Sequence, residues 1–169
     1  EFCENRLPSP ADYGKLAAIF PGRVVTVTSI MSDRGLGRAA DLLKEHLGKQ
    51  KTFEIVVNDW GLLKLLHDKY SGARPILGRL IIWEIARMDK RFLNSFCREY
   101  GISAVEADCE AVLKQLSGFK GAINYHGPWR FRSTTRFCPH MKAFNSAPCT
   151  RACGAPPARL RNPKVLGED

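Results

Sequence analysis

The sequence predicts an α/β fold. Its βα repeats should form one parallel sheet, either open or the front portion of a barrel, followed by an irregular cysteine-bearing tail. Three observations predict this. Short β-branched and apolar runs alternate with segments of helical period through the first 126 residues, the pattern of right-handed βαβ units. The strand-like runs are apolar at successive positions, as strands buried on both faces are. From Pro128 the alternation stops, and Pro128, Pro139, Pro148, Pro156, Pro157 and Pro163 punctuate a stretch without periodicity. We read 1–169 as one α/β domain, with βα repeats over 1–126 and the tail over 127–169.

The elements follow in order. Ser9-Pro10-Ala11-Asp12 starts a helix: Ser9 is an N-cap, Pro10 suits the first helical position and Asp12 resembles the acid of a capping box. Pro21-Gly22 stops it. Val24 to Ile30 reads as a strand. Leu36, Ala39, Ala40, Leu43 and Leu47 share a helical face, and Gly48 ends that helix. Phe53 to Val57 is a strand, and Trp60 to Tyr70 a helix carrying Leu62, Leu63, Leu65 and Leu66. Pro75 to Ile82 reads as a strand, and Asp89 to Tyr100 as a helix with Phe92, Phe96 and Tyr100 on one face. Ile102 to Ala107 is a strand, Cys109 to Leu116 a short helix and Phe119 to Tyr125 a last strand. Phe2-Cys3 reads as the tip of a further strand. A closed eight-stranded barrel takes about 250 residues, so a chain of 169 residues predicts part of a barrel or an open sheet.

Composition narrows the class. Hydrophobic residues make up 44% and charged residues 25%, ordinary for a globular chain. No apolar run reaches the length of a membrane span. The N-terminus has no signal-peptide pattern and position 1 is Glu rather than Met, so we expect a processed chain or a piece of a longer one, working in the cytoplasm. The net charge of +9 is uneven: residues 1–129 hold 18 basic and 15 acidic residues, residues 130–169 hold 8 and 2. A basic, cysteine-bearing end calls for an anionic partner: nucleic acid, an acidic small molecule or an anionic cluster.

In parallel α/β folds, sites form at the C-terminal ends of the strands. Here those ends are Cys3, Ser29 to Asp33, Asn58-Asp59-Trp60, Gly78-Arg79 or the residues after Ile82, Glu106 with Asp108, and Tyr125-His126. Polar residues concentrate there although the strands leading to them are apolar. From this position we take Asp59 and His126 as candidate proton-transfer groups. Asn58, Arg79 and Arg136 are candidate substrate-binding groups, the two arginines suiting a carboxylate.

The sharper signal is Cys138-Pro-His-x8-Cys149-x3-Cys153. Clustered cysteines without a signal peptide point to metal or redox work rather than to a disulfide scaffold. Cys3 is the candidate fourth ligand. Four thiolates suit a 4Fe–4S cluster or, as runner-up, structural zinc. Zinc sites commonly use two close Cys pairs, and only one is present, so the spacing favours iron–sulfur. Cys97 and Cys109 read as buried small hydrophobes, and His140 and His126 are not assigned as ligands. Arg136, Lys142 and Arg151 flank the trio and suit the charge of a cluster or an anionic substrate.

Glu1-Phe2-Cys3-Glu4 with Leu7-Pro8-Ser9-Pro10, Val56-Val57-Asn58-Asp59-Trp60-Gly61-Leu62-Leu63, Leu77-Gly78-Arg79-Leu80, and Thr134-Thr135-Arg136-Phe137-Cys138 followed by Cys149-x3-Cys153 together resemble the collagenase-like peptidase family. More narrowly they resemble its iron–sulfur branch, which includes oxygen-independent ubiquinone-hydroxylation proteins and RNA-hydroxylating relatives that use prephenate as oxygen source. The resemblance runs from Cys3 to about Cys153. It implies a TIM-barrel-like fold and a 4Fe–4S cluster on Cys3, Cys138, Cys149 and Cys153; a related subunit as heterodimer partner is a further expectation. The expected function is then oxygen-independent hydroxylation, of ubiquinone-biosynthesis or RNA-modification type. A non-catalytic iron–sulfur subunit or RNA-binding module is the alternative. A peptidase is the weakest reading, since no Ser-His-Asp, Cys-His or His-Glu-x-x-His pattern stands out.

Overall fold

The computed structural model describes residues 3–20, 22, 24–47, 52–128, 130, 137–138, 140–144, 149–150 and 153. The chain forms two compact units, 1–134 and 135–169.

In the first unit, five parallel strands lie in chain order: β1 (Thr26–Val27), β2 (Phe53–Val57), β3 (Ala73–Leu77), β4 (Ala104–Ala107) and β5 (Ala122–Tyr125). Each neighbouring pair is parallel. The helices are α1 (Pro10–Ile19), α2 (Asp33–Leu47), α3 (Trp60–Lys69), α4 (Ile82–Arg87), α5 (Lys90–Glu99) and α6 (Glu110–Gln115). When strand order follows chain order, right-handed crossovers put every helix on the same side of the sheet. The core has that form. Leu42, Leu43, Leu62, Leu66, Ile85 and Leu93 from the helices cluster with Phe53, Ile55, Val57, Leu77 and Val105 from the sheet. The alternate positions Val56, Ile76 and Ala104 form a separate small cluster on the other face, as the two-residue period of a strand dictates.

Local chemistry explains the boundaries. At α1, the Asp12 N–H donates to Ser9 Oγ at 3.2 Å and the Ser9 N–H to Asp12 Oδ2 at 3.3 Å, completing the capping box. β2 has the bounds its sequence predicts. The run expected to be a strand over 75–82 divides instead: β3 ends at Leu77, and Arg79–Ile81 forms a single 3-10 turn leading into α4. A short apolar run does not distinguish strand from buried helix by periodicity. Here the Leu80 N–H is captured by Asn58 Oδ1 at 2.9 Å, which turns the chain, and Ile81, Ile82 and Ile85 are buried as helical residues.

The face of α2 is also shifted from the expected one. Gly35, Ala39, Leu42, Leu43 and His46 are buried, and Leu36 and Leu47 only partly so. Gly35 sits beneath the Glu4 carboxylate, where a Cβ has no room.

β1 is shorter than the expected 24–30 because it lies at the sheet edge, with one neighbour to pair with. β5, at the opposite edge, is exposed along its whole length, which corrects the expectation that all strands are apolar and covered. Cys3 has extended backbone, but it precedes a 3-10 turn (Glu4–Arg6) rather than closing a strand; Phe2 lies outside the described residues. Phe92, Phe96 and Tyr100 do share a face of α5, and their rings stack along it at 5.9 and 4.5 Å. That face lies at the margin of the core: Phe96 and Tyr100 are partly buried against it, and Phe92 is 56% exposed. Among the described residues no helix is long and apolar enough to cross a membrane.

The second unit holds an antiparallel hairpin, β6 (Phe137–Cys138) with β7 (Ala143–Phe144). The Phe137 and Phe144 rings meet edge to face at 5.7 Å. Lys142, with φ 50°, supplies the left-handed step that returns the chain into β7.

Candidate functional site

The strand ends of the first unit carry a polar layer above the apolar sheet. Asn58 follows β2 and is fully buried. Its Nδ2 donates to Thr28 O at 2.8 Å, and its Oδ1 accepts from the Leu80 N–H. One side chain thus joins the chain after β1 to the chain after β3. Gly78 makes this possible, since a Cβ there would occupy the space of the Asn58 amide. Asp59 caps α3: Oδ1 accepts from the Leu62 N–H at 3.1 Å and Oδ2 from the Met31 N–H at 3.2 Å. The carboxylate expected to transfer protons is therefore engaged on both oxygens by backbone donors, a positioning arrangement.

His126 follows β5, and its N–H donates to Ala107 O at 2.8 Å, extending the ladder. Its Nε2 lies 2.9 Å from Oε1 of Glu106, whose side chain is 6% exposed against 40% for His126. The Arg79 N–H faces the other oxygen, Oε2, at 3.4 Å. A buried carboxylate against Nε2 orients the ring, leaving Nδ1 as the nitrogen to exchange protons. Sequence reasoning named Glu106 as a strand-end residue and gave it no role. The available signal was a glutamate inside the apolar strand Ala104–Ala107. Asn58, Arg79, Glu106 and His126 thus belong to one cross-strand layer, while Arg136 lies outside the described residues.

Before β1, Cys3–Leu7 is clamped to the start of α2. Buried Glu4 accepts from the Ser32 N–H at 2.7 Å and Ser32 Oγ at 2.9 Å, with Arg34 at 3.5 Å. Asn5 Oδ1 accepts from Arg34 and Arg38, each at 3.3 Å. Burial pushes the Glu4 carboxyl up, but the Ser32 donors and Arg34 outweigh it and hold it below its ordinary 4.5. A depressed carboxyl stabilises the fold above the ordinary value, and that stabilisation is lost as pH falls through the folded one. In urea unfolding at pH 6, 4.5 and 3, wild type should lose more stability on acidification than Glu4→Gln, which should be the weaker protein at pH 6 by about 1–3 kcal/mol. Parallel pH profiles would show that Glu4 does not carry the acid sensitivity.

None of the six cysteines is in a disulfide. Cys3 is half-buried in the first unit. In the second, Cys138 lies in β6 and is half-buried, Cys149 is exposed and Cys153 half-buried. Thr150 Oγ1 donates to Met141 Sδ at 3.1 Å, which brings the Cys149 segment to the hairpin loop that follows Cys138. Thiols are the donors an iron–sulfur cluster takes, so the residue types fit that group. Among the described residues, no three His, Cys, Asp or Glu side chains converge as a metal site.

Cys97 is different: burial in the core pushes its thiol up to about 11, so almost no thiolate exists at neutral pH. With iodoacetamide at pH 8, the metal-free chain should be alkylated at Cys149 well before Cys97. Equal rates at the two positions would overturn this, and peptide mass mapping reads the difference.

No family model, curated protein or solved structure matches this chain.

Proposed function

We propose that the chain is a 4Fe–4S protein of oxygen-independent hydroxylation, with Cys3, Cys138, Cys149 and Cys153 as thiolate ligands. The observation that carries this reading is the donor set: three thiols within sixteen residues of sequence, with the Thr150–Met141 contact joining the Cys149 segment to the loop after Cys138; the first unit separately supplies a carboxylate–imidazole pair at its strand ends. When bound, the cluster supplies one-electron chemistry. The chain's own residues do the rest. Glu106 orients His126, and His126 moves a proton at Nδ1. Asn58 and Asp59 hold the strand ends in register. Arg79 and Arg136 are the cations assigned to a carboxylate of a small acidic substrate.

Strand order supports reading the sheet as the front of a barrel. Barrel strands follow chain order with all helices outside, whereas doubly wound sheets reverse direction at a switch point. A cytoplasmic setting, a related subunit as partner and RNA as the hydroxylated substrate belong to the same proposal.

Purification without oxygen, with iron, sulfide and zinc assays and a visible spectrum, tests it. We expect a brown protein with about four iron and four sulfide per chain. A colourless chain with one zinc defeats it. If the cluster is present, Arg79→Ala and Arg136→Ala should each lower turnover of an acidic substrate while leaving iron content unchanged; undiminished turnover in both removes their substrate role.

A further inference from the structure

The end of the sheet opposite His126 carries a cavity of about 510 Å³, within the range of small-molecule sites. It opens where Ile102 leads into β4 and Gly121 leads into β5. Its walls bring together Arg91, Arg98 and Lys120, with no acidic residue among the lining.

Helix electrostatics explain only one of these cations. Arg98 lies in the last turn of α5, where the helix dipole favours positive charge, but Arg91 lies in the first turn, where it does not. The Arg91 contact to Asp89 is 3.9 Å long and both side chains are strongly exposed, so it is worth little. Among the described residues no carboxylate pairs with Arg98 or Lys120.

The pocket is also built. Asn94 sits between the two arginines on α5. Its Nδ2 donates to Gly118 O at 3.1 Å and its Oδ1 accepts from the Lys120 N–H at 2.8 Å. One amide thus pins the loop before β5 against the helix and sets Lys120 opposite the arginines. Phe119 and Ile102 supply an apolar wall. The Phe119 ring occupies the space a side chain on Gly121 would need, so it lies against bare backbone at the pocket wall.

We propose that this pocket binds a nucleotide-sized organic phosphate. The phosphates meet Arg91, Arg98 and Lys120 through charge-assisted hydrogen bonds, and the base lies on Phe119. The two arginines stand two helical turns apart, about 10 Å along the axis, a span that suits a diphosphate group with its sugar better than a single anion. Single-stranded RNA fits less well, because it needs a basic track leading away from the aromatic platform, and these cations converge on one cavity. Cys97 is the one cysteine in the lining, and none of the four proposed cluster ligands nor His126 is among it, so the proposal stands or falls independently of the iron–sulfur reading.

Calorimetric titration of the full chain with ADP, pyrophosphate, adenosine and a ten-nucleotide single-stranded RNA tests this. We expect ADP to bind more tightly than pyrophosphate or adenosine. The double variant Arg98→Ala/Lys120→Ala should weaken ADP at least tenfold, and Asn94→Ala should weaken it through release of the loop. Lys64→Ala, whose ammonium pairs with Asp68 on α3, should leave it unchanged. Circular dichroism melts confirm that each variant folds. Absence of ADP binding, an unaffected double variant, or RNA binding tighter than ADP would each overturn the proposal.

Discussion

Asn58→Leu should lower the stability of the first unit by about 2–5 kcal/mol. Leucine keeps the branched shape of asparagine, although it is bulkier, and leaves two buried backbone groups, Thr28 O and the Leu80 N–H, without partners. Each buried polar group left unsatisfied costs roughly 1–3 kcal/mol. The residue is fully buried, so water does not readily replace the amide. Gly78→Ala should be comparably damaging for a steric reason, since its methyl group would displace the same amide. Thr28→Val should cost about 1–3 kcal/mol, because it removes the Oγ1 bond to Val56 O at 2.7 Å and the longer bond that Oγ1 accepts from the Asn58 N–H at 3.4 Å. Urea midpoints measure all three. A loss under about 1 kcal/mol in Asn58→Leu would mean that the strand ends hold their register without this side chain.

The second large effect concerns the cysteines. Cys3→Ala, Cys138→Ala, Cys149→Ala and Cys153→Ala should each bleach the anaerobically purified protein and reduce its iron from about four per chain to less than one. Cys97→Ala should stay brown, because its thiol is buried against Leu93 and its neighbours in the core and is protonated at working pH. The contrast separates ligation from general damage: a cysteine variant that unfolds loses colour and helical signal together, whereas a ligand variant loses colour alone. Full iron content in Cys149→Ala would remove that residue from the ligand set, and in two or more of the four would end the cluster assignment.

Legibility in the sequence varied with the range of the interaction. α1 was readable from four residues, because a capping box is closed by groups three positions apart. β2 was readable because β-branched and apolar residues fill four of its five positions. The segment from Gly78 to Ile82 was not, because the deciding contact is Asn58 Oδ1 to the Leu80 N–H, 22 residues apart in the chain. The candidate site divides the same way. His126 was found by its place after a strand, but its partner Glu106 needs the register that sets Glu106 beside Asn124. Asp59 was found by position too, and only the backbone donors from Met31 and Leu62 show that its oxygens are engaged. The cysteine spacing was plain, while the hairpin carrying Cys138 was not, because it turns on Lys142 adopting a left-handed conformation that lysine rarely signals.

The division into two units has an optical consequence. Trp60, Trp83 and Trp129, and all four tyrosines, fall within 1–134, and residues 135–169 contain neither type. Trp60 stands edge-on to Phe96 at 6.2 Å, in a ladder of rings that continues to Tyr100 and His67. Indole fluorescence therefore watches the first unit alone, and the second is dark in it. Any visible absorption from a bound cluster would add a second colour channel. Following emission and that absorption through one denaturation would give two curves from one cuvette, and their coincidence or separation would tell whether the first unit unfolds together with loss of the cluster.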